Sequence, residues 1–345
     1  MKYRPLPHSQ LEISELGLGT MTFGEQNSAQ EAFDQMDRAR AAGVNLLDAA
    51  EMYPVPPRPE TQGDTESIIG HYLKQRGNRH QWVIATKVAA PGGPCDYLRP
   101  QMALDRRNIQ AACDASLTRL GIDCIDLYQV HWPHRHTNFF GNLAYQPDEA
   151  ESRTPILETL SALAELVQAG KVRHIGVSNE TPWGVMQYLH LADKHDLPRI
   201  VAIQNPYSLL NRSFEVGLAE IAHRQGVELL AYSPLAFGTL SGKYAGGARP
   251  PGTRLSLFER FKRYSGPAAE AAIDDFLTLA RDHGLSPAQL ALAFVRSRPF
   301  TASTLVGATT LTQLEENLAS VDLAWSDELE AALQALGERH RYPCP

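Results

Sequence analysis

Gly121-Ile-Asp-Cys-Ile125-Asp-Leu-Tyr-Gln-Val130-His131 joins a glycine at a helix end, a short apolar run and an ionisable residue where that run stops. The helical pattern over 105–119 feeds this run through a left-handed glycine cap, so the stretch reads as a buried strand preceded by its helix. Working outward, the same unit recurs along the chain. Apolar runs stand at Leu16–Leu18, Val44–Leu47, Trp82–Ala85, Ile125–Val130, Val172–Val177, Ile200–Ile203, Val227–Ala231 and Thr304–Val306. Helical patterns lie near 29–42, 65–75, 105–119, 155–168, 182–194, 212–224, 286–297 and 311–319, with Gly43, Gly121, Gly170 and Gly226 leading into the next run. A doubly wound open sheet shares the alternation, but a count of eight units predicts an α/β fold of the closed (β/α)8 TIM barrel type. Residues 2–13 read as an N-terminal β-hairpin, while 267–283 and 326–337 read as extra helices. No compositional linker divides the chain, which predicts a single domain over 1–345.

Composition narrows the partners. The chain has 345 residues, 32 Lys+Arg against 39 Asp+Glu and a formal net charge of −7. That balance argues against nucleic acid or an anionic membrane as partner, since both call for clustered positive charge. Hydrophobic residues make up 43% and charged ones 21%, a folded rather than a disordered composition. Cys95, Cys113, Cys124 and Cys344 lack metal-knuckle or redox-pair spacing and read as reduced thiols. The start of the chain has no apolar leader, and nothing approaches the roughly 18 apolar residues of a membrane span. The expectation is a cytoplasmic protein.

Three long connections follow strands directly: 49–64, 131–154 and 232–265. In a β/α barrel the loops at the C-terminal strand ends build the active site, so these are the candidate site loops. Gly17-Leu-Gly19 invites a dinucleotide-fold reading, but Thr22 stands where the third glycine of that turn belongs. Gly238-Thr-Leu-Ser-Gly242-Lys243 is one residue short of a P-loop and is followed by Tyr244 rather than Ser or Thr. His131, His134 and His136 share a prolyl loop beside an arginine that supplies neither three well-placed ligands nor a supporting shell in any evident way, so no metal is expected.

Asp48 and Tyr53 follow the second strand, Lys87 the third and His131 the fourth. Adjacent strand ends meet at one rim of a barrel, so these four side chains form a workable acid–base set. A lysine beside a tyrosine favours phenolate and predicts a phenol pKa below about 10. Aspartate keeps the lysine charged and oriented. Tyrosine then protonates an oxygen that is gaining negative charge, and a neutral histidine orients that oxygen.

A family resemblance covers nearly the whole chain. Gly17-Leu-Gly19-Thr20-Met21, Asp48-Ala-Ala-Glu-Met-Tyr53, Ala85-Thr-Lys87, Gln129-Val-His131-Trp132, Gly176-Val-Ser178-Asn179, Gln204-Asn205, Ala231-Tyr-Ser-Pro-Leu235, and Gly307-Ala-Thr309 with Gln313-Leu-Glu-Glu316-Asn317 follow, in order, the motifs of the aldo-keto reductases. The stretches from Glu51 to Gln62 and from Gln204 to Phe214 resemble the bacterial Tas-type branch. Ser233–Lys243 is similar to the β-subunits of voltage-gated potassium channels. The resemblance implies Tyr53 as general acid, Asp48 and Lys87 as its tuning partners and His131 as the carbonyl-orienting group. It also implies an NADPH cofactor, with Thr20, Met21 and Asp48 beside it, Ser178, Asn179 and Gln204 on the carboxamide, and Tyr232 stacked on the nicotinamide. Ser233, Pro234, Leu235, Gly238, Leu240 and Lys243 would wrap the pyrophosphate, and Gly307, Thr309, Gln313, Glu316 and Asn317 would hold the adenosine end. Asn179 has a plain alternative as a helix N-cap, and Glu316 and Asn317 as solvated helix positions.

Two departures bear on specificity. Relatives that contact a 2′-phosphate from the last motif use Lys or Arg where this chain has Thr310 and Gln313, so Lys243 and Arg254 must supply the positive charge that favours NADPH over NADH. The Pro54–Thr65 insertion stands beside the catalytic tyrosine, where it narrows or lids the pocket. The expected function is NADPH-dependent reduction of a small-molecule aldehyde or ketone, with Phe23, Trp132 and Trp183 lining the substrate pocket. The rival is a cofactor-binding sensor with residual catalysis, like the channel β-subunits.

Overall fold

The computed structural model describes residues 1–93, 95–148, 151 and 153–344. Its first strands, β1 (Tyr3–Pro5) and β2 (Glu12–Ser14), form an antiparallel hairpin. Leu6, Leu11 and Ile13 from this hairpin pack with Leu46, Ala85, Leu127, Leu230, Ala302 and Leu305 in one buried cluster. The hairpin thereby closes the N-terminal end of the barrel with apolar side chains. Arg4 holds it in place by donating to the carbonyl oxygen of Thr301 at 2.7 Å.

Eight parallel strands follow: β3 (Leu16–Gly19), β4 (Leu46–Asp48), β5 (Val83–Val88), β6 (Ile125–Val130), β7 (Val172–Ser178), β8 (Ile200–Pro206), β9 (Glu228–Tyr232) and β10 (Thr301–Val306). They close in sequence order, with β10 pairing back onto β3. Every predicted strand is present. The last begins three residues earlier than its apolar run, because Thr301 and Ser303 are buried polar residues that hydropathy does not mark.

The outer ring contains α1 (Ala29–Ala41), α2 (Asp64–Arg76), α3 (Arg106–Leu120), α4 (Ile156–Gln168), α5 (Pro182–His195) and α6 (Leu218–Gln225). After β9 come the short α7 (Arg254–Leu257), then α8 (Pro267–Asp282) and α9 (Pro287–Ser297), with α10 (Leu311–Ala319) and α11 (Asp327–Arg339) completing the chain. Ser28, Asp105, Thr181, Ser286, Thr310 and Ser326 cap their helices with side-chain oxygens, which fixes where each chain direction turns. Gly121 and Gly226 end α3 and α6 in the left-handed conformation, as their positions predict. The expected helix over 212–224 is split at Gly217 into a 3-10 turn, Ser213–Val216, and α6. Among the described residues, no helix is long and apolar enough to cross a membrane.

Gly70 shows how tightly this ring is packed. It lies on α2 where a Cβ would stand 2.4 Å from the Arg119 carbonyl oxygen and 2.8 Å from Leu120 backbone atoms. Backbone cannot swing aside as a side chain can, so Gly70→Ala forces α2 from α3. We expect a loss of about 1–3 kcal/mol of stability in urea unfolding despite alanine's better helix propensity.

Candidate active site

Asp48 is the last residue of β4, and the Thr20 hydroxyl and amide hold its carbonyl at 2.7 and 3.1 Å. Its carboxylate accepts from Lys87 Nζ at 2.7 Å through one oxygen and from Gln204 Nε2 at 2.7 Å through the other. Lys87 also donates to the Ala49 carbonyl at 2.7 Å and is wholly buried. Burial alone pushes the Lys87 pKa down, and the Asp48 charge opposes that shift. Adjacent strands β4 and β5 thus supply a desolvated ion pair braced by further hydrogen bonds to Ala49 and Gln204.

Tyr53 sits beyond the next turn, with its amide donating to Ala50 O at 3.0 Å. Lys87 Nζ lies 5.0 Å from the Tyr53 ring centroid, and the Tyr53 and His131 rings meet edge to face at 5.8 Å. The expected acidification of the phenol is not found. Burial and the nearby Asp48 and Tyr232 push the Tyr53 pKa well above its ordinary value, and Arg254 opposes them only in part. The physical reason is desolvation: the phenol is buried, which penalises the phenolate, and the Asp48 charge adds to that penalty. Burial and the Lys87 charge push His131 well below its ordinary value, so its imidazole is neutral at physiological pH. Its Nδ1 is buried without a hydrogen-bond partner among the described residues.

A second network crosses β7, β8 and β9. Ser178 Oγ donates to Gln204 O at 2.7 Å, and Asn179 Nδ2 donates to His131 O at 2.8 Å. The Tyr232 hydroxyl donates to Asn179 Oδ1 at 2.6 Å. Asn179 is left-handed, with φ 53°, and Thr181 rather than Asn179 caps α5, so the N-cap alternative does not hold.

These residues open into a cavity of about 1030 Å³ at the C-terminal rim. Thr20, Met21, Asp48, Tyr53, His131, Trp132, Ser178, Asn179, Gln204, Tyr232, Ser233, Pro234, Leu235, Gly238, Lys243, Arg254, Gly307, Thr309, Gln313, Glu316 and Asn317 all line it. Lys87 lies beneath the wall, paired with Asp48. Three expectations are corrected. Phe23 is fully buried in the core, because its amide folds back to Thr20 O at 3.0 Å and turns the ring inward. Trp183 is 58% exposed on the outer face of α5, with Arg135 5.0 Å from its ring centroid. Leu240 is buried behind the loop, at 1% exposure. Asn317 is not a solvated helix position, being buried and donating to Gly307 O at 3.4 Å, whereas Glu316 is exposed and accepts from Ser286 Oγ at 2.6 Å.

The cavity wall also contains residues that sequence reasoning missed, chiefly Met52, Val55, Phe139, Phe140, Arg260 and Arg263. Val55 belongs to the Pro54–Thr65 insertion, which is pinned as a wall: Val55 N donates to Met21 O and Gly63 N to Tyr53 O, each at 3.0 Å, and Arg58 pairs with Glu25. Behind Tyr53, the buried Glu51 carboxylate pairs with Arg99 and accepts from the Ala89 amide at 2.7 Å. That tie joins the tyrosine loop to the end of β5.

The residues present fit a dinucleotide. Ser233 and then Ala236, Phe237 and Gly238 adopt positive φ in the tight turn after β9, where the Ala236 and Gly238 amides donate to Ser233 O and Leu235 O at 2.9 and 2.8 Å. Lys243 folds against this turn, its Cε 2.8 Å from where a Gly238 Cβ would stand. Gly307 lies across from Gly19, whose carbonyl oxygen is 3.6 Å from where a Gly307 Cβ would stand.

A closed (β/α)8 barrel with this rim defines an oxidoreductase class, and sequence comparison agrees: residues 15–338 match the Aldo/keto reductase family. The chain belongs to that family and is an oxidoreductase; family members generally use nicotinamide cofactors. It is 59% identical over 346 residues, 100% of both chains, to Protein tas of Escherichia coli (strain K12). It is 31% identical over 333 residues, 95% of this chain and 94% of the other, to the uncharacterized oxidoreductase YrpG of Bacillus subtilis (strain 168). A probable voltage-gated potassium channel subunit beta of Arabidopsis thaliana is 31% identical over 334 residues, 94% of this chain and 92% of that one.

Removing one member of the buried pair strands the other charge. Lys87→Met should cost about 3–5 kcal/mol in denaturant unfolding, and adding Asp48→Asn should recover part of that loss. Additive losses in the double variant would show that the two groups do not interact.

Proposed function

We propose that this protein is an NADPH-dependent reductase of aldehydes and ketones, in which Tyr53 protonates the carbonyl oxygen. The observation that carries the reading is the rim geometry, with a protonated phenol and a neutral imidazole side by side over the buried Lys87–Asp48 pair. When bound, the reduced nicotinamide supplies the hydride. His131 orients the carbonyl oxygen toward Tyr53, and the neutral ring adds no competing positive charge. Lys87 lies close enough to stabilise the phenolate that remains once the proton has left, while Asp48 holds the ammonium in position. Ser178, Asn179 and Gln204 present a polar edge suited to the carboxamide, and Tyr232 a flat face suited to the ring. Lys243 and Arg254 supply the charge that favours the additional phosphate of NADPH. The intact acid–base set favours turnover over a sensor that only registers cofactor occupancy.

Tyr53→Phe should lower kcat for carbonyl reduction by about a hundredfold to ten-thousandfold, while NADPH binding, followed by fluorescence, persists. Near-full activity in that variant sinks the assignment. The raised phenol pKa has a sign that rates can read: a group shifted upward keeps its proton to higher pH. Reductive kcat should therefore stay level from about pH 6 to about pH 9 and fall only above the ordinary phenol value of about 10. An alkaline limb below pH 9 that disappears with the residual activity of Tyr53→Phe would contradict it.

A further inference from the structure

The cationic residues of the cavity do not all belong to the turn after β9. Lys243, Arg254, Arg260 and Arg263 line the wall, whereas Asp48 and Glu316 are the only carboxylates among its described residues. Asp48 is already paired with Lys87, and Glu316 accepts from Ser286. Lys243 belongs to the turn after β9, and Arg254 begins α7 beside the rings of Phe237 and Phe261 at 6.0 and 5.3 Å.

Arg263 stands elsewhere. Its guanidinium carbon lies 5.7 Å from the Phe140 ring centroid, joining the segment after β9 to the loop after β6. Phe140 meets Trp132 at 6.0 Å, and Trp132 meets His131 at 4.9 Å. A continuous aromatic wall therefore runs from the acid–base pair to Arg263. Phe237 and Tyr264, at 5.8 and 6.0 Å, flank the same guanidinium. Its polar neighbours are the Tyr232 and Tyr264 hydroxyls, and among the described residues it forms no ion pair with a carboxylate. A guanidinium held among aromatic rings presents a planar fork at a fixed place, the geometry that pairs with a carboxylate through two parallel hydrogen bonds.

We propose that the carbonyl substrate of this site carries a carboxylate at the far end of an apolar body, which lies along Trp132 and Phe140 and ends at Arg263. This rests on the carbonyl-reduction reading and specifies its substrate class. The apolar body would cover the aromatic wall, the carbonyl would meet Tyr53 and His131, and the carboxylate would face the Arg263 fork with Arg260 adding long-range attraction.

A matched pair of probes tests it: 4-carboxybenzaldehyde and methyl 4-formylbenzoate, alike in body but differing in charge. The protein should favour the carboxylate in kcat/KM by about tenfold to a hundredfold, chiefly through KM, as expected for charge-assisted hydrogen bonds. Arg263→Gln should bring the ratio between the two probes close to one, and Arg263→Lys should restore part of it. A ratio near one in the unmodified protein overturns the proposal. So does an Arg263→Gln protein that loses NADPH affinity and both aldehydes in parallel, which would assign Arg263 to the cofactor. If neither aldehyde turns over, carbonyl reduction itself is in error for this class, and calorimetry with terephthalate on the NADP+ complex decides the carboxylate site. Binding that Arg263→Gln abolishes supports the site, and absent or unchanged binding overturns it.

Discussion

The parallel pairing of β10 with β3 closes the sheet, and the site depends on that closure. Thr304, Leu305 and Val306 align with Leu16, Gly17 and Leu18. The seam leaves no room at Gly17, where a Cβ would stand 2.7 Å from Leu305 Cδ2 and 2.9 Å from Leu46 Cδ2. Interior leucines occupy the volume that another residue type would need there. A closed ring has no free sheet edge, and its strand ends return to a common rim. Asp48, Ser178, Gln204 and Tyr232 come from different strands, and closure gives them one cavity, with Lys87 buried beneath its wall.

Two electrostatic regimes meet at that rim. Below the surface, Lys87–Asp48 and Arg99–Glu51 are compensated pairs with buried partners and further hydrogen bonds. Pairs of this kind contribute little net stability because desolvation offsets attraction, but they hold neighbouring loops in one arrangement. At the mouth, Lys243 and three arginines face the cavity without carboxylate partners among the described residues. Uncompensated charge in a walled cleft focuses positive potential on it, so a chain of net charge −7 still presents an anion-attracting site. At Tyr53, desolvation dominates the phenol before reaction, and the Asp48 charge adds to it.

Much of this was legible in residue order. The eight strand–helix units, the hairpin and both extra helices all appear within a few residues of their predicted places, because each depends on local periodicity and capping. The ionisable residues of the proposed acid–base set were legible because they stand where buried runs end. The misplaced aromatics have identifiable causes. Trp183 was legible as an outward residue, since Val185, Tyr188, Leu189 and Ala192 define the inner face of α5. Phe23 was not, because its direction is set by a tight turn after β3 rather than by a period. Arg260 and Arg263 lie in an irregular segment with no hydrophobic rhythm, so residue order alone does not show that they face a ring in the loop after β6.

By itself, the sequence determined the barrel, the order of its units and the identity of the chemical groups at the strand ends, since all three follow from short-range patterns. Only the tertiary structure decided which charges are paired, which cations remain available to an anion and which aromatic rings wall the cavity. Those outcomes depend on distances between segments such as β4 and β8, or residues 140 and 263, and burial converts those distances into electrostatic strength.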